Sequence, residues 1–234
     1  MFNSKTKKNG DSYSAEEISK YMLSLVFASM ATTAGFMNHC LCDLAGRPNI
    51  QELLFEEQKK IMDKYSNDNN RSKLAVDDCH YLGAFIWETM RLSSLPLQQA
   101  RCLLSDKKIG DILIKKDTMV MMSGMLNGQL EKKEDDEGIG FTNPEKFDPE
   151  RFLDESGKLV SYKKAYDMGF FPFGIGKHEC PGRYFALSEI KLTLIAILRK
   201  YKMRTENDRP PDYVWQAVAV ERKATKIFFE HREI

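Results

Sequence analysis

The stretch from Gly169 to Leu192, GFFPFGIGKHECPGRYFALSEIKL, constrains this chain more than any other. Gly174, Gly176 and Gly182 permit backbone torsions and close approaches that a Cβ forbids. The segment ahead of Cys180 therefore reads as a tight, flat loop able to lie against a planar ligand. Pro181 suits a first helical turn, and Tyr184, Phe185, Leu187, Ile190, Leu194 and Ile197 continue as a buried helix. This places Cys180 at a helix N-terminus, where free amides and the positive end of the dipole favour thiolate over thiol.

The rest of the chain can support such a loop with a real core. At 234 residues and 42% hydrophobic content it is long enough for one domain or two. Lys and Arg number 35 against 34 Asp and Glu, so no charge excess draws the chain to nucleic acid or anionic lipid. The cysteines at 40, 42, 79, 102 and 180 are odd in number and form no disulfide framework, which suits a reducing compartment. Residues 1–13 are polar and lysine-rich, read as a disordered start with no secretory signal. Residues 14–234 form the folded domain. The uncharged window Tyr21–Cys42 is long enough to raise a membrane span, but its serines, threonines and Asn38 dilute it. The reading is a helix buried in a protein core, with no membrane span.

Ser14-Ala15-Glu16-Glu17 is a capping box, so a first helix opens there and runs to about Leu44, stopped by Gly46 and Pro48. Asn49 is placed to cap a second helix carrying Ile50, Leu53, Leu54, Ile61, Met62 and Tyr65 at helical period, followed by a polar loop, Ser66–Lys73. A third helix is expected over Asp77–Leu92, ending before Pro96 because the residue ahead of proline disfavours helical torsions. Glu88 and Arg91 stand at i and i+3 on it, so their heads share one face. Between Gln99 and Met122, short apolar runs broken at Asp106–Lys108 and Lys115–Asp117 read as strands joined by hairpins. Glu131–Gly138 reads as an acidic solvated loop. After a helix ending near Tyr201, Val214–Val220 and Thr225–Glu230 read as closing strands. The fold class is mainly α with a small β-sheet.

Phe173, Gly176, His178, Cys180 and Gly182, in the spacing FxxGxHxCxG, resemble the haem-binding signature of the cytochrome P450 family at all five pattern positions. Two further motifs stand in family order: Glu88-x-x-Arg91, then Phe147-Asp148-Pro149-Glu150-Arg151-Phe152 between it and the cysteine. The resemblance implies the C-terminal half of the P450 fold over residues 14–234, with haem b held through the Cys180 sulfur. It implies that Phe173 shields that sulfur, that Gly176 and Gly182 shape the loop, and that His178 and Arg101 meet haem propionates. For Arg101, an edge-strand arginine held in solvent is the alternative. Glu88, Arg91 and Arg151 take the role of a buried structural network, and Leu153–Met168 that of the irregular meander ahead of the loop.

Phe27-Ala28-Ser29-Met30-Ala31-Thr32-Thr33 is similar to the oxygen-binding stretch of the central P450 helix. Thr32 takes the threonine position that manages protons, while Ala31 stands where the family has an acid. A small-residue patch for helix packing is the other reading. His39-Cys40-Leu41-Cys42 carries zinc-type ligands, yet a helix does not easily bring i, i+1 and i+3 to one tetrahedral centre. His80 and His231 show no partner in the sequence. The resemblance implies a haem-thiolate monooxygenase that inserts one oxygen atom from dioxygen into a small apolar organic substrate, with electrons from a reductase. A haem-thiolate isomerase or dehydratase, or a non-catalytic remnant, are the alternatives, because the match spans only the C-terminal half of a usual member. It has no counterpart here for the N-terminal anchor that commonly fixes full-length members to the endoplasmic reticulum membrane. Leu95–Gln99 and Gln216–Val220 are the candidate pocket segments.

Overall fold

The capping box at Ser14 is complete. Ser14 Oγ accepts from the Glu17 amide at 3.2 Å, and the Ser14 amide donates to the Glu17 carboxylate at 2.8 Å. It opens α1, Ala15–Ala45, in a computed structural model that describes residues 12–66, 76–132, 139–216 and 219–233. Residues 1–11, most of the expected polar loop after Ser66 and most of the acidic one after Glu131 lie outside that set, as do residues 217–218.

The expectation that α1 is a buried core helix holds only at its C-terminal end, from His39 onward. Tyr21, Leu23, Leu25, Phe27 and Met30 are between 60% and 76% exposed. The hydroxyls that were expected to dilute this window do so poorly. Ser24, Ser29 and Thr32 donate back to the carbonyls of Lys20, Val26 and Ala28, so the helix itself consumes their polarity. By length and composition α1 is apolar enough to cross a membrane.

The second helix, α2, runs Pro48–Lys64. Asn49 does not cap it: Pro48, whose φ is preset for a first helical turn, starts it after Arg47, and the Arg47 guanidinium pairs with Asp43 instead. The helix expected over Asp77–Leu92 is interrupted at Cys79, which leaves the helical torsions at ψ 79°: residues 76–78 are helical ahead of it, and α3 runs His80–Leu92. Glu57 of α2 takes the free amides of Tyr81 and Leu82 at 2.7 and 3.0 Å, an acid at a helix N-terminus that its burial pushes above the usual carboxylate range. Asp78, in the short helical stretch ahead of Cys79, accepts from the Tyr65 hydroxyl and from Lys64.

Four strands follow: β1 Gln99–Cys102, β2 Lys107–Ile109, β3 Ile112–Ile114 and β4 Met119–Met122. They nest, β1 antiparallel to β4 and β2 to β3. Lys107 and Lys108, expected in a break, lie in β2, and the turn falls at Gly110, whose φ is +56°. A short α4, Gly124–Gly128, and a 3-10 turn, Pro149–Phe152, lead into a segment expected to be irregular. It contains a helix, α5 Tyr162–Asp167, because Ser161 caps the Lys164 amide. The glycine loop then runs into α6, Arg183–Lys200.

The two expected closing strands become four: Val214–Val220 is split between two strands, and β5, Tyr201–Thr205, unforeseen, continues directly from α6 and pairs antiparallel with β8, Ile227–His231. Between them β6 Tyr213–Trp215 and β7 Val220–Arg222 form a hairpin. The chain is mainly helical with small antiparallel sheets.

Leu54, Phe85, Trp87, Phe152, Phe170, Ile190 and Leu194 share one core. At its centre, ring centroids of Trp87, Phe152 and Phe170 lie 4.8–5.6 Å apart, joining α3, the 149–152 turn and the start of the glycine loop. A second, polar knot fixes the buried end of α1. Asp43, fully buried, accepts from Arg47 and from Arg222 Nη2, each at 2.5 Å, and the Arg222 guanidinium lies 3.5 Å over the Tyr213 ring. His39 and Cys40 belong to the same packing: Nε2 of His39 stands 3.1 Å from the Val220 carbonyl, and Cys40 has no exposure. Arg222→Met is expected to cost about 3 kcal/mol, the lower end for breaking a buried pair because Arg47 still serves Asp43. Urea denaturation of the two chains measures it.

Candidate functional site

Three backbone bonds build the glycine loop: Gly174 N to Phe171 O at 2.9 Å, Glu179 N to Gly176 O at 3.1 Å, and Cys180 N to Phe173 O at 2.9 Å. The last closes the loop and sets Cys180 beside Phe173, which packs half-buried against the core. Gly174 and Gly176 both have φ +73°, a region L side chains enter only with strain. Gly182 differs. Its φ of −88° needs no glycine, but a Cβ there would stand 3.9 Å from Cys180 Sγ, so its absence leaves the sulfur's flank bare.

The helix also starts later than expected. Gly182 is its N-cap, so Pro181 forms a turn ahead of α6 rather than its first turn, and Cys180 precedes the helix end by two residues. Nor is the start of α6 buried: Tyr184 and Phe185 are 63% and 69% exposed, and burial begins at Ile190.

The strand β1 flanks the loop. Gln98 Nε2 donates to the Phe171 carbonyl at 2.6 Å, and the Gln99 amide occupies the space a Cβ on Gly174 would take. Arg101, two residues on, is exposed and donates to Ala100 O at 2.8 Å and to Gln99 Oε1 at 3.5 Å. Neither glutamine carries a sequence signal, since a polar residue at a strand start looks like any other. Gly176→Ala is expected to cost about 1–2 kcal/mol through its left-handed torsion alone, because its missing Cβ faces open space. Gly174→Ala carries the same strain and also evicts Gln99, so its thermal midpoint should fall further; equal shifts would contradict the contact.

Glu88, Arg91 and Arg151 come together. Arg91 pairs with both Glu88 oxygens at 2.7 Å, with neither side chain exposed, and Arg151 Nε reaches Glu88 Oε1 at 3.1 Å. Arg91 also donates to the carbonyls of Gly128, Pro144 and Lys146. Those acceptors are backbone, which no motif announces. His178 is exposed on the 3-10 turn Gly176–His178. Thr32 stays apart, exposed on α1 with its hydroxyl donated to Ala28 O at 2.6 Å.

The donor set selects one sulfur. Cys40, Cys42 and Cys79 are buried, Cys102 is exposed on β1, and Cys180 is half-buried at the end of the glycine loop, tied by its amide to Phe173 O. These residues fit a planar iron group held through sulfur.

A loop of this kind defines a haem-thiolate protein. The family model "Cytochrome P450" matches residues 1–229, and the chain belongs to that family. Probable cytochrome P450 517A1 of Dictyostelium discoideum is 30% identical over 219 residues, 92% of this chain and 41% of the relative. Cytochrome P450 monooxygenase 71 of Postia placenta is 30% identical over 213 residues, 88% of this chain and 41% of the relative. Cytochrome P450 2H2 of Gallus gallus is 30% identical over 208 residues, 87% of this chain and 38% of the relative. The chain spans about two fifths of the length of these relatives. Family membership implies a cysteine-ligated haem as cofactor.

Proposed function

We propose that this chain carries the thiolate side of a monooxygenase that inserts one oxygen atom from dioxygen into a small apolar organic substrate, with electrons from a reductase. The observation that carries it is the half-buried Cys180 at the end of the glycine loop, closed by the Cys180 N to Phe173 O bond. Cys180 would hold haem b through Sγ, its orientation fixed by the amide bond to Phe173 O. Arg101 and His178, both exposed on elements of the loop region, would meet the propionates. A bound haem supplies the electron-rich thiolate iron that favours O–O cleavage. Phe27 and Met30 offer apolar surface along α1, and Thr32, whose hydroxyl proton is held by Ala28 O, can still accept a proton-bearing water on its lone pairs. The free cysteines favour a reducing compartment.

The test is the reduced carbon monoxide difference spectrum of the haem-loaded chain, followed by product formation with and without a reductase. A thiolate-type band with reductase-dependent product supports the reading. Ala31 favours a second one. With no carboxylate beside Thr32, the helix turn suits an isomerase or dehydratase acting on an already oxygenated substrate. Product formed without any electron donor would select it.

A further inference from the structure

The sheet of β5 and β8 has two edges, and they are treated differently. The Arg232 amide donates to Lys200 O at 2.9 Å, and the antiparallel register sets Met203 opposite Phe229. Bonded and non-bonded pairs alternate along such a ladder, so the amides and carbonyls of Met203 and Phe229 point away from each other, out of opposite edges. On the β5 side they are met. The buried Gln51 side chain of α2 accepts from Met203 N at 2.8 Å and donates to Met203 O at 2.9 Å, standing in for a third strand. On the β8 side, Ile227, Phe229 and His231 turn the same backbone groups outward, where they meet no partner among the described residues.

An open strand edge is a template for another strand, and folded chains blunt it with proline, a bulge or repelling charge. β8 carries neither proline nor bulge, and Phe228 and Phe229 are 39% and 50% exposed. Its charges decide what can pair with it. When two copies of β8 are set antiparallel with their outward residues able to bond, one register places Ile227 opposite Phe229 of the second copy. Phe228 then faces its own equivalent on a two-fold axis, and Lys226, just ahead of the strand, faces Glu230 on both sides. A slip of one pleat either way sets Phe228 against Glu230 or Lys226 and separates the charges.

We propose that β8 is a self-pairing edge, through which two copies of this chain join into one antiparallel sheet in the order β5-β8-β8-β5. The contact is self-complementary, as a two-fold interface must be. A two-stranded ribbon is marginal by itself, and joining makes it four-stranded. Lys226 gives up only an exposed pair with Glu206 at 3.5 Å, a contact of little worth. No residue of the 169–182 loop takes part, so the proposal does not depend on the haem reading.

Cross-linking of the full chain in a Cys102→Ser background, which removes the exposed thiol, tests it. Residues opposed in a non-bonded pair have Cα atoms about 4.5 Å apart, within disulfide reach, so Phe228→Cys is expected to give a covalent dimer under mild oxidation. Glu230→Cys is expected to give none, since its two copies would stand about 13 Å apart along the strands. Sedimentation equilibrium without the added cysteines supplies the affinity. Phe229→Pro removes a donor that faces away from β5, and should weaken the dimer about tenfold or more while β5 and β8 stay paired. Lys226→Glu and Glu230→Lys should each weaken it alone, and the two chains mixed should re-associate, because every pair then joins opposite charges. A Phe228→Cys chain that stays monomeric, equal cross-linking through Glu230→Cys, or association that survives Phe229→Pro would overturn the proposal, the last by moving the contact to exposed apolar surface such as α1.

Discussion

Cys180→Ser is expected to abolish the thiolate-type carbon monoxide band of the haem-loaded chain completely while leaving the fold intact. The substitution changes one atom, and the bond that closes the loop, Cys180 N to Phe173 O, is backbone and survives it. What disappears is the soft, polarisable sulfur donor. A serine oxygen is a harder and more weakly acidic ligand, and thiolate is the form that binds iron strongly. Cys102→Ser is the matched control, since Cys102 is exposed on β1 and carries none of the loop geometry. A band lost in the Cys102 variant and kept in the Cys180 variant would move the site elsewhere. Haem content of the two variants, measured separately from any activity, distinguishes loss of the ligand from loss of the pocket.

The loop was legible in the sequence because its chemistry requires particular residue types at particular places. Glycine tolerates φ +73° at positions 174 and 176, and a free thiol must stand where the backbone is tight. Gly182 falls under the close approaches rather than the torsions: its φ of −88° is ordinary, and a Cβ there would stand 3.9 Å from the Cys180 sulfur. The bracing by Gln98 and Gln99 was invisible. It depends on how β1 comes to lie against residues 171–174, a tertiary fact that two polar residues in a strand do not encode on their own.

Helix α1 shows the limit from the other side. Its boundaries came directly from local chemistry, a capping box at Ser14 and a stop at Gly46. Its burial did not, because burial is a property of what packs against a helix. Apolar composition said that Tyr21–Met30 needs cover, but among the described residues that face is left open. Likewise β5 was hidden because Tyr201–Thr205 gains its strand character from the pairing with β8, across a long sequence separation.

Arg91→Ala is expected to cost about 3–5 kcal/mol and leave little soluble chain, a large part of the roughly 5–15 kcal/mol that holds a typical domain folded. The reason lies in how many groups this one guanidinium serves. It gives two 2.7 Å bonds to Glu88 and donates to the carbonyls of Gly128, Pro144 and Lys146. Without it, those buried carbonyls lose a donor, and Glu88 keeps its charge in the core with only Arg151 and the Asp148 amide to balance it. Arg91→Lys should recover less than half of the loss, since a single ammonium cannot reproduce the planar fork across both carboxylate oxygens and the facing backbone. Arg151→Ala should be milder, because its side chain is 9% exposed and it meets one Glu88 oxygen rather than two. Soluble yield and urea midpoints of the three variants order the effects; an Arg91→Ala chain with an unchanged midpoint would mean that α3 is held to residues 128–151 by packing of Phe85, Trp87 and Phe152 alone.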